Sequence, residues 1–330
     1  GARCDGGIRV GEGNRSLLMT EFAPASFLQI EVRDRTLPQV EEFLASLAKI
    51  TSGSLAGTLE DQDDREAAER RFELMQVLLD RLRKALDDRG TLEVLRVGID
   101  LLGLKSPLKL AQFKPALAMN PDLQARYAAN RLRVVRQCRT GHDDVIDLVL
   151  FLNGIPVATA ELKTDFTQDM NAAVDQYRFD RIPKPKGRPF AEPLLDFPRG
   201  ALVHFAVSNR TVMMATRLQG PATRFLPFNQ GDHGGAGNPP NPAGHRTAYL
   251  WEQVWQRDSW LEILGRYLVT QRDSKKKVTG FIFPRYHQLD ATRKLQAAVL
   301  AEGAGHKYLI QHSAGSGKTN SIAWTAHFLA

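Results

Sequence analysis

Three charged residues stand where a folded chain seldom leaves them. In Ile146 to Lys163, IDLVLFLNGIPVATAELK, the residues Asp147, Glu161 and Lys163 interrupt two otherwise apolar, strand-like runs. A charge set into a half-buried strand needs a partner or a metal to offset its desolvation. Two carboxylates on one sheet face can chelate a hard cation such as Mg²⁺ through oxygen. A cation held there polarises a phosphodiester and generates hydroxide from bound water, while a neighbouring lysine stabilises the developing negative charge. The bland alternative is an ordinary hairpin carrying three surface charges, because acid-x-Lys strings are common.

The elements around these residues must bring them together. Asn153-Gly154 supplies the positive backbone angles of a tight hairpin turn. Strand alternation puts Glu161 and Lys163 on one face. Asp147 depends on register: a regular two-residue loop pairs Leu152 with Ile155, sets Asp147 against Ala160 and turns Glu161 to the opposite face. A three-residue loop Leu152-Asn153-Gly154, with Gly154 left-handed in a bulge, returns the two carboxylates to one face. Pro156 cannot donate a ladder hydrogen bond, which favours irregular pairing there. The chemistry therefore predicts a bulged or three-residue connection around Leu152 to Pro156, with the Lys163 ammonium near both carboxylates.

A second constellation lies near the other end. His312-Ser313-Ala314-Gly315-Ser316-Gly317-Lys318-Thr319 follows a strand-like Tyr308-Leu309-Ile310 and precedes a helix from Asn320. This matches a Walker A loop: the backbone N–H groups of Gly315, Ser316 and Gly317 cradle phosphates at a helix N-terminus, Lys318 reaches the β/γ-phosphates of ATP, and Thr319 binds Mg²⁺. The strict pattern has Gly where His312 stands. No acidic Walker B strand follows, so nucleotide binding is expected without ATP hydrolysis.

At 330 residues and 43% hydrophobic composition, the chain can bury more than one core, since single cores rarely outgrow ~250–300 residues. Lys and Arg number 44 against 37 Asp and Glu, a net charge of +7, which favours a polyanionic partner. Cys4 and Cys138 are too far apart in sequence for zinc-like spacing, and a reducing, cytoplasmic setting fits. Nothing approaches the ~18 apolar residues of a membrane span.

Helical spacing runs from Leu37 to Arg89, broken at Thr51 to Gly57; shorter β-rich segments follow Gly90. The strands expected are Leu132–Cys138, Val145–Leu152, Ile155–Leu162, Ala201–Ser208 and Val212–Thr216, with a helix near Gln168–Asp180. Asn229 to His245, rich in Gly, Pro and Asn, reads as an exposed connector; Trp251 to Leu268 reads as one amphipathic helix whose tryptophans pack rather than stack on bases. The expected organisation is an N-terminal helical or irregular region over 1–64, an α/β domain over 65–228, a connector and helix over 229–280, and a new unit over 281–330. The end at Ala330, inside the helix after the phosphate loop, suggests a piece of something longer. Arg131, Arg133 and Arg136 on the strand leading to Asp147, and Lys184 and Lys186 in a Pro-spaced loop, are candidate phosphate contacts.

Asp147 followed by Glu161-Leu162-Lys163 on a hairpin resembles the D…ExK core of the PD-(D/E)xK nucleases. The words DLVLFLNGIPVATAELK and QYRFDR, with FPRYHQLDATRKL and LIQHSAGSGKT further on, resemble the restriction (R, motor) subunit of type I restriction-modification enzymes. The resemblance covers roughly Arg83 to Ala330. It implies an α/β fold: a restriction-endonuclease-like domain with a helical N-terminal region, followed by the beginning of a RecA-like P-loop motor domain. It also implies Asp147 and Glu161 as Mg²⁺ ligands, Lys163 as the catalytic lysine, Tyr177 as the Tyr of a Gln-x-x-x-Tyr motif and Gln288 as an adenine-reading Gln, 24 residues before His312. Ala173 stands where that motif has Gln, with Gln176 adjacent to Tyr177 instead. Glu73 or Glu69 would serve as a first-helix acid. The implied activity is ATP-coupled cleavage of double-stranded DNA, with methylation and specificity subunits as partners. A repair or recombination nuclease-helicase, or an inactive DNA-binding or assembly module, would share these features.

Overall fold

The computed structural model describes residues 64–101, 104–115, 119–142, 144–164 and 170–329, with side chains in the first helix described from Gln76 onward. The helical reading of Leu37 to Gly57 and the side chains of Glu69 and Glu73 lie outside these residues. Helix α1 (Asp64–Arg89) buries Leu78 and Leu82, one turn apart, against the main core. Gly90, at φ 81°, ends it where a Cβ would come within 3.0 Å of Pro198. Short α2 (Thr91–Val97) then starts with its Thr91 hydroxyl donating to backbone carbonyls around Arg199. Helix α3 (Pro121–Ala129) is capped by the Asn120 side chain, which accepts from Leu123 N at 3.1 Å.

The central layer is a mixed sheet in the order β1 (Leu132–Arg139), β2 (Val145–Leu152), β3 (Ile155–Leu162), β4 (Val203–Val207), β5 (Val212–Ala215) and β6 (Leu226–Pro227). Its neighbours are antiparallel except β3 and β4, which are parallel. That one parallel step requires a crossover, and the crossover supplies α4 (Met170–Asp175) with its π-helical continuation Gln176–Asp180. One face of β2, β3 and β4 carries Leu148, Leu150, Ala160 and Phe205 into the main core. The opposite face carries Asp147, Thr159, Glu161 and Ala206 beneath the crossover helix, where Tyr177 packs on Ile146 and Val149.

The strands sit where the alternation pattern puts them, and Trp251, Trp255 and Trp260 are buried in the core. Three readings change. The segment from Trp251 to Leu268 is two pieces, a π-helical turn (Leu250–Val254) and α5 (Arg257–Glu262) running into a further π turn (Ile263–Tyr267). The break is at Gln256, whose ψ of 144° is extended, and it lets both Trp255 and Trp260 reach the edges of Phe205. Asn229 to His245, by contrast, is largely exposed, as read from its composition, and is wound around buried Asn238. That side chain donates to Arg210 O and Asn229 Oδ1 and accepts from Gln230 N, so side-chain bonds replace the missing ladder.

The unit expected to begin at Phe281 has its boundary inside a strand. Hairpin β7 (Val269–Arg272) and β8 (Val278–Ile282) runs directly into α6 (Tyr286–Glu302) and α7 (Lys318–Leu329). Phe283 meets Phe205 and Phe228 edge-on at 5.9 Å in each case. The core is therefore continuous from the sheet to Leu289 and Trp324. Tyr308 to Ile310 forms no strand and stays exposed, because no neighbouring strand among the described residues offers it a ladder.

Candidate active site

The β2–β3 hairpin solves the register problem differently from the expected three-residue loop. Asn153 (φ 50°) and Gly154 (φ 84°) are both left-handed, as a regular two-residue turn of the primed type demands. Leu152 accordingly pairs with Ile155 and Phe151 with Pro156, but Leu150 then pairs with Ala158. Val157 is the extra residue of a bulge, placed just after the proline that cannot donate to the ladder. Past the bulge Leu148 faces Ala160, the last pair of the ladder, and that register turns Asp147 and Glu161 to one face, close enough for the Asp147 charge to act on Glu161.

Both carboxylates are sealed from water, Asp147 at 1% and Glu161 at 0% exposure, with Lys163 at 4%. Asp147 accepts from Leu162 N through Oδ2 (2.9 Å) and from Gln137 Nε2 through Oδ1 (3.0 Å). Gln137 lies on β1 between the Arg136–Leu148 and Cys138–Ile146 pairs, at φ 50°, a conformation that costs a non-glycine residue strain. Glu161 Oε1 accepts from Arg181 Nε at 2.8 Å, and Arg181 also reaches Asp144 Oδ1 (3.3 Å) and Val145 O (2.8 Å). Glu161 Oε2 is buried without a hydrogen-bond partner. Burial, then the negative charge of Asp147, pushes the Glu161 carboxyl up to about 8 against the opposing pull of Arg181.

The Lys163 ammonium donates to Gln176 Oε1 at 2.6 Å. The amide that meets the lysine therefore comes from Gln176, at the start of the π-helical turn and three residues after Ala173, which packs with Val174 and Ala206. Tyr177, expected to approach the metal site, lies near enough for the charges of Glu161 and Asp147 to act on its phenol, and it shares a 2.8 Å hydrogen bond with Thr159 Oγ1, which in turn meets His204 Nδ1 at 2.8 Å. It is fully buried, a packing and hydrogen-bonding residue behind the carboxylates. Burial keeps its phenol protonated and pushes the His204 imidazole down to about 3.

Residues 111–222 match the family model described as type I restriction enzyme R protein N terminus. The matched span runs from before β1 through β5, and so contains Gln137, Asp147, Glu161, Lys163, Gln176 and Arg181. The match supports a type I R subunit, and with it a restriction endonuclease role. No curated protein matches the chain. Among the described residues no helix is long and apolar enough to cross a membrane.

Within the matched span, Arg131 just before β1 and Arg133 and Arg136 on it are half-buried, and Lys184 and Lys186 are exposed on the loop after Arg181. The phosphate loop lies beyond it. Helix α7 starts at Lys318, and Gly315 (φ 72°) and Gly317 (φ 83°) take the left-handed turns that let the loop curl over it. Lys318 Nζ donates to the carbonyls of His312 (3.2 Å) and Ser313 (3.0 Å). Gln288 is buried with its amide divided between two backbones: Oε1 accepts from Arg285 N and Nε2 donates to Gly317 O, each at 2.9 Å. It braces the loop itself. Thr319 is exposed, and Gln288, Gly315, Ser316 and Gly317 line a cavity of about 430 Å³ that Arg217 and Arg224 also line.

Proposed function

We propose that this chain cleaves DNA by metal-dependent phosphodiester hydrolysis, as the nuclease part of a type I restriction R subunit. The observation that carries the reading is the bulge that turns Asp147 and Glu161 to one face as a buried acidic pair, with Arg181 bonded to only one Glu161 oxygen. Such an arrangement is costly unless a cation joins it. The residues fit a divalent ion: two carboxylates on one face, one Glu161 oxygen outside the Arg181 bond, and a carboxyl whose proton affinity burial and the Asp147 charge raise. Asp147 and Glu161 would hold Mg²⁺, which supplies Lewis-acid polarisation of the phosphate and a more acidic bound water.

The chain's own groups do the rest. Lys163, whose ammonium is held by Gln176, would supply the positive charge where negative charge develops on the phosphate. Gln137 and Leu162 N fix the rotamer of Asp147, so that its oxygens are held in place before substrate arrives. Arg181 neutralises part of the acidic pair and ties it to the β1–β2 turn. In the longer protein this cleavage would be coupled to ATP-driven movement on double-stranded DNA, with specificity and methylation subunits choosing the site. Supercoiled plasmid incubated with the protein should be nicked or linearised in Mg²⁺ and untouched in EDTA. Binding without any metal-dependent cleavage would favour an inactive DNA-binding or assembly module.

The phosphate loop supports ATP binding in the same reading. Lys318→Ala should weaken binding of a fluorescent ATP analogue at least about tenfold, since it removes the cation meant for the β/γ-phosphates. These 330 residues include no acidic Walker B strand after the loop, so neither this chain nor its variant should show DNA-stimulated ATPase. DNA-dependent turnover in the wild type that vanishes in the variant would overturn that expectation.

A further inference from the structure

The segment Arg181 to Glu192, RIPKPKGRPFAE, is fastened at both ends to the active site. At its start Arg181 holds Glu161 Oε1 and the backbone at Val145. At its end Glu192 N donates to Pro183 O (2.7 Å) to close the loop, while Glu192 Oε2 accepts from Gly141 N (2.7 Å) in the β1–β2 turn. Between these anchors Lys184, Lys186 and Arg188 are all exposed. Phe190, beside them, is 78% exposed, and Phe179 on the preceding π turn is 57% exposed. Three prolines, Pro183, Pro185 and Pro189, fix much of the loop's backbone, so presenting these side chains costs little further ordering.

We propose that this loop grips DNA beside the scissile phosphate, with Phe190 stacking on a base displaced from the helix, so that the preferred substrate is duplex containing an unpaired nucleotide. The inference rests on the nuclease reading above and adds a substrate preference to it. Three cations at alternate positions track a phosphate backbone, and an aromatic ring held among them offers a sequence-tolerant platform for a base. The depth of the carboxylates argues the same way. With Asp147 and Glu161 essentially sealed from solvent, the phosphate of a straight, fully stacked duplex stays outside, whereas an unstacked strand can bend inward. A protein docking on the loop would use the same exposed phenylalanine but would give no such preference among DNAs.

The test is binding without metal, so that it does not depend on cleavage. Anisotropy titrations in EDTA would compare an intact duplex with one carrying a single unpaired 2-aminopurine. The wild type should bind the second about tenfold more tightly and quench its fluorescence, the magnitude expected of one stacked base. Phe190→Ala should bring the two affinities within about twofold and abolish quenching, while Phe190→Trp restores both. The ring is mostly outside the core, so thermal melting should be unchanged. Neutralising Lys184, Lys186 and Arg188 together should weaken both DNAs and flatten the salt dependence by about two to three ions. Unchanged discrimination in Phe190→Ala, or no discrimination in the wild type, overturns the proposal whether or not the protein cleaves. Loss of plasmid cleavage with discrimination intact would count against the nuclease reading alone.

Discussion

Lys163→Met should slow Mg²⁺-dependent cleavage by about 100- to 1,000-fold, the usual cost of deleting one preorganised positive or donor group from a charge-developing site. Methionine is chosen because the lysine is nearly buried, and a residue of similar length leaves no large void. Affinity for DNA should stay within about threefold, since one sealed ammonium adds little to a surface that already presents several cations. The partner substitution Gln176→Leu, which removes the amide that meets Lys163 at 2.6 Å, should act through the lysine and so cost less than losing it. Single-turnover rates with saturating protein, read beside thermal melts, separate chemistry from folding. Cleavage by Lys163→Met within threefold of wild type would remove the lysine from the mechanism.

Glu161→Gln should stabilise the metal-free protein at alkaline pH while ending Mg²⁺ binding. Burial and the charge of Asp147 raise the Glu161 carboxyl from 4.5 in the unfolded chain to about 8 in the folded one. Between those values the folded protein keeps a proton that the unfolded chain has released. Its contribution is therefore fully present below about 4.5 and is lost as pH rises through about 8. Glutamine keeps the neutral shape at every pH. By pH 9 the variant should gain roughly 1–3 kcal/mol over wild type in urea melts run in EDTA, a difference absent at acid pH. For the wild type, Mg²⁺ affinity should climb over the same window, because the ion must displace that proton. A stability difference that does not change with pH would mean Glu161 is ionised throughout, with Arg181 as its sufficient partner.

The sequence carried the hairpin plainly, because Asn153-Gly154 between two apolar runs leaves few alternatives. The need for Asp147 and Glu161 to share a face was also legible, as a matter of arithmetic and chemistry. How the chain meets it was not: whether an extra residue enters at the turn or one step later depends on how Pro156 and Val157 pair, and both solutions place the carboxylates together. Gln137 and Arg181 escaped notice, and Gln176 was seen only as a displaced motif residue, for a different reason. Their roles come from partners 10, 13 and 20 residues away, set by which strand lies beside which and by a π turn that no local pattern announces. Tyr177 was legible from its spacing on the crossover helix, whereas the bond of its hydroxyl to Thr159 was not. Tyr308 to Ile310 has strand composition, but a strand is made by its neighbours.

The aromatic contacts of Phe283 have a mechanical meaning. Phe205 on β4 touches Phe283, Phe228 touches both Phe283 and Tyr286, and Tyr286 opens the helix whose Gln288 braces the phosphate loop. Strand β4 in turn lies directly beside β3, with Ala206 registered against Glu161. No slack linker interrupts this series of rings and strands. A load applied at the phosphate loop is thus borne by rigid bodies in contact, and the element next to the acidic pair is the one that takes the strain.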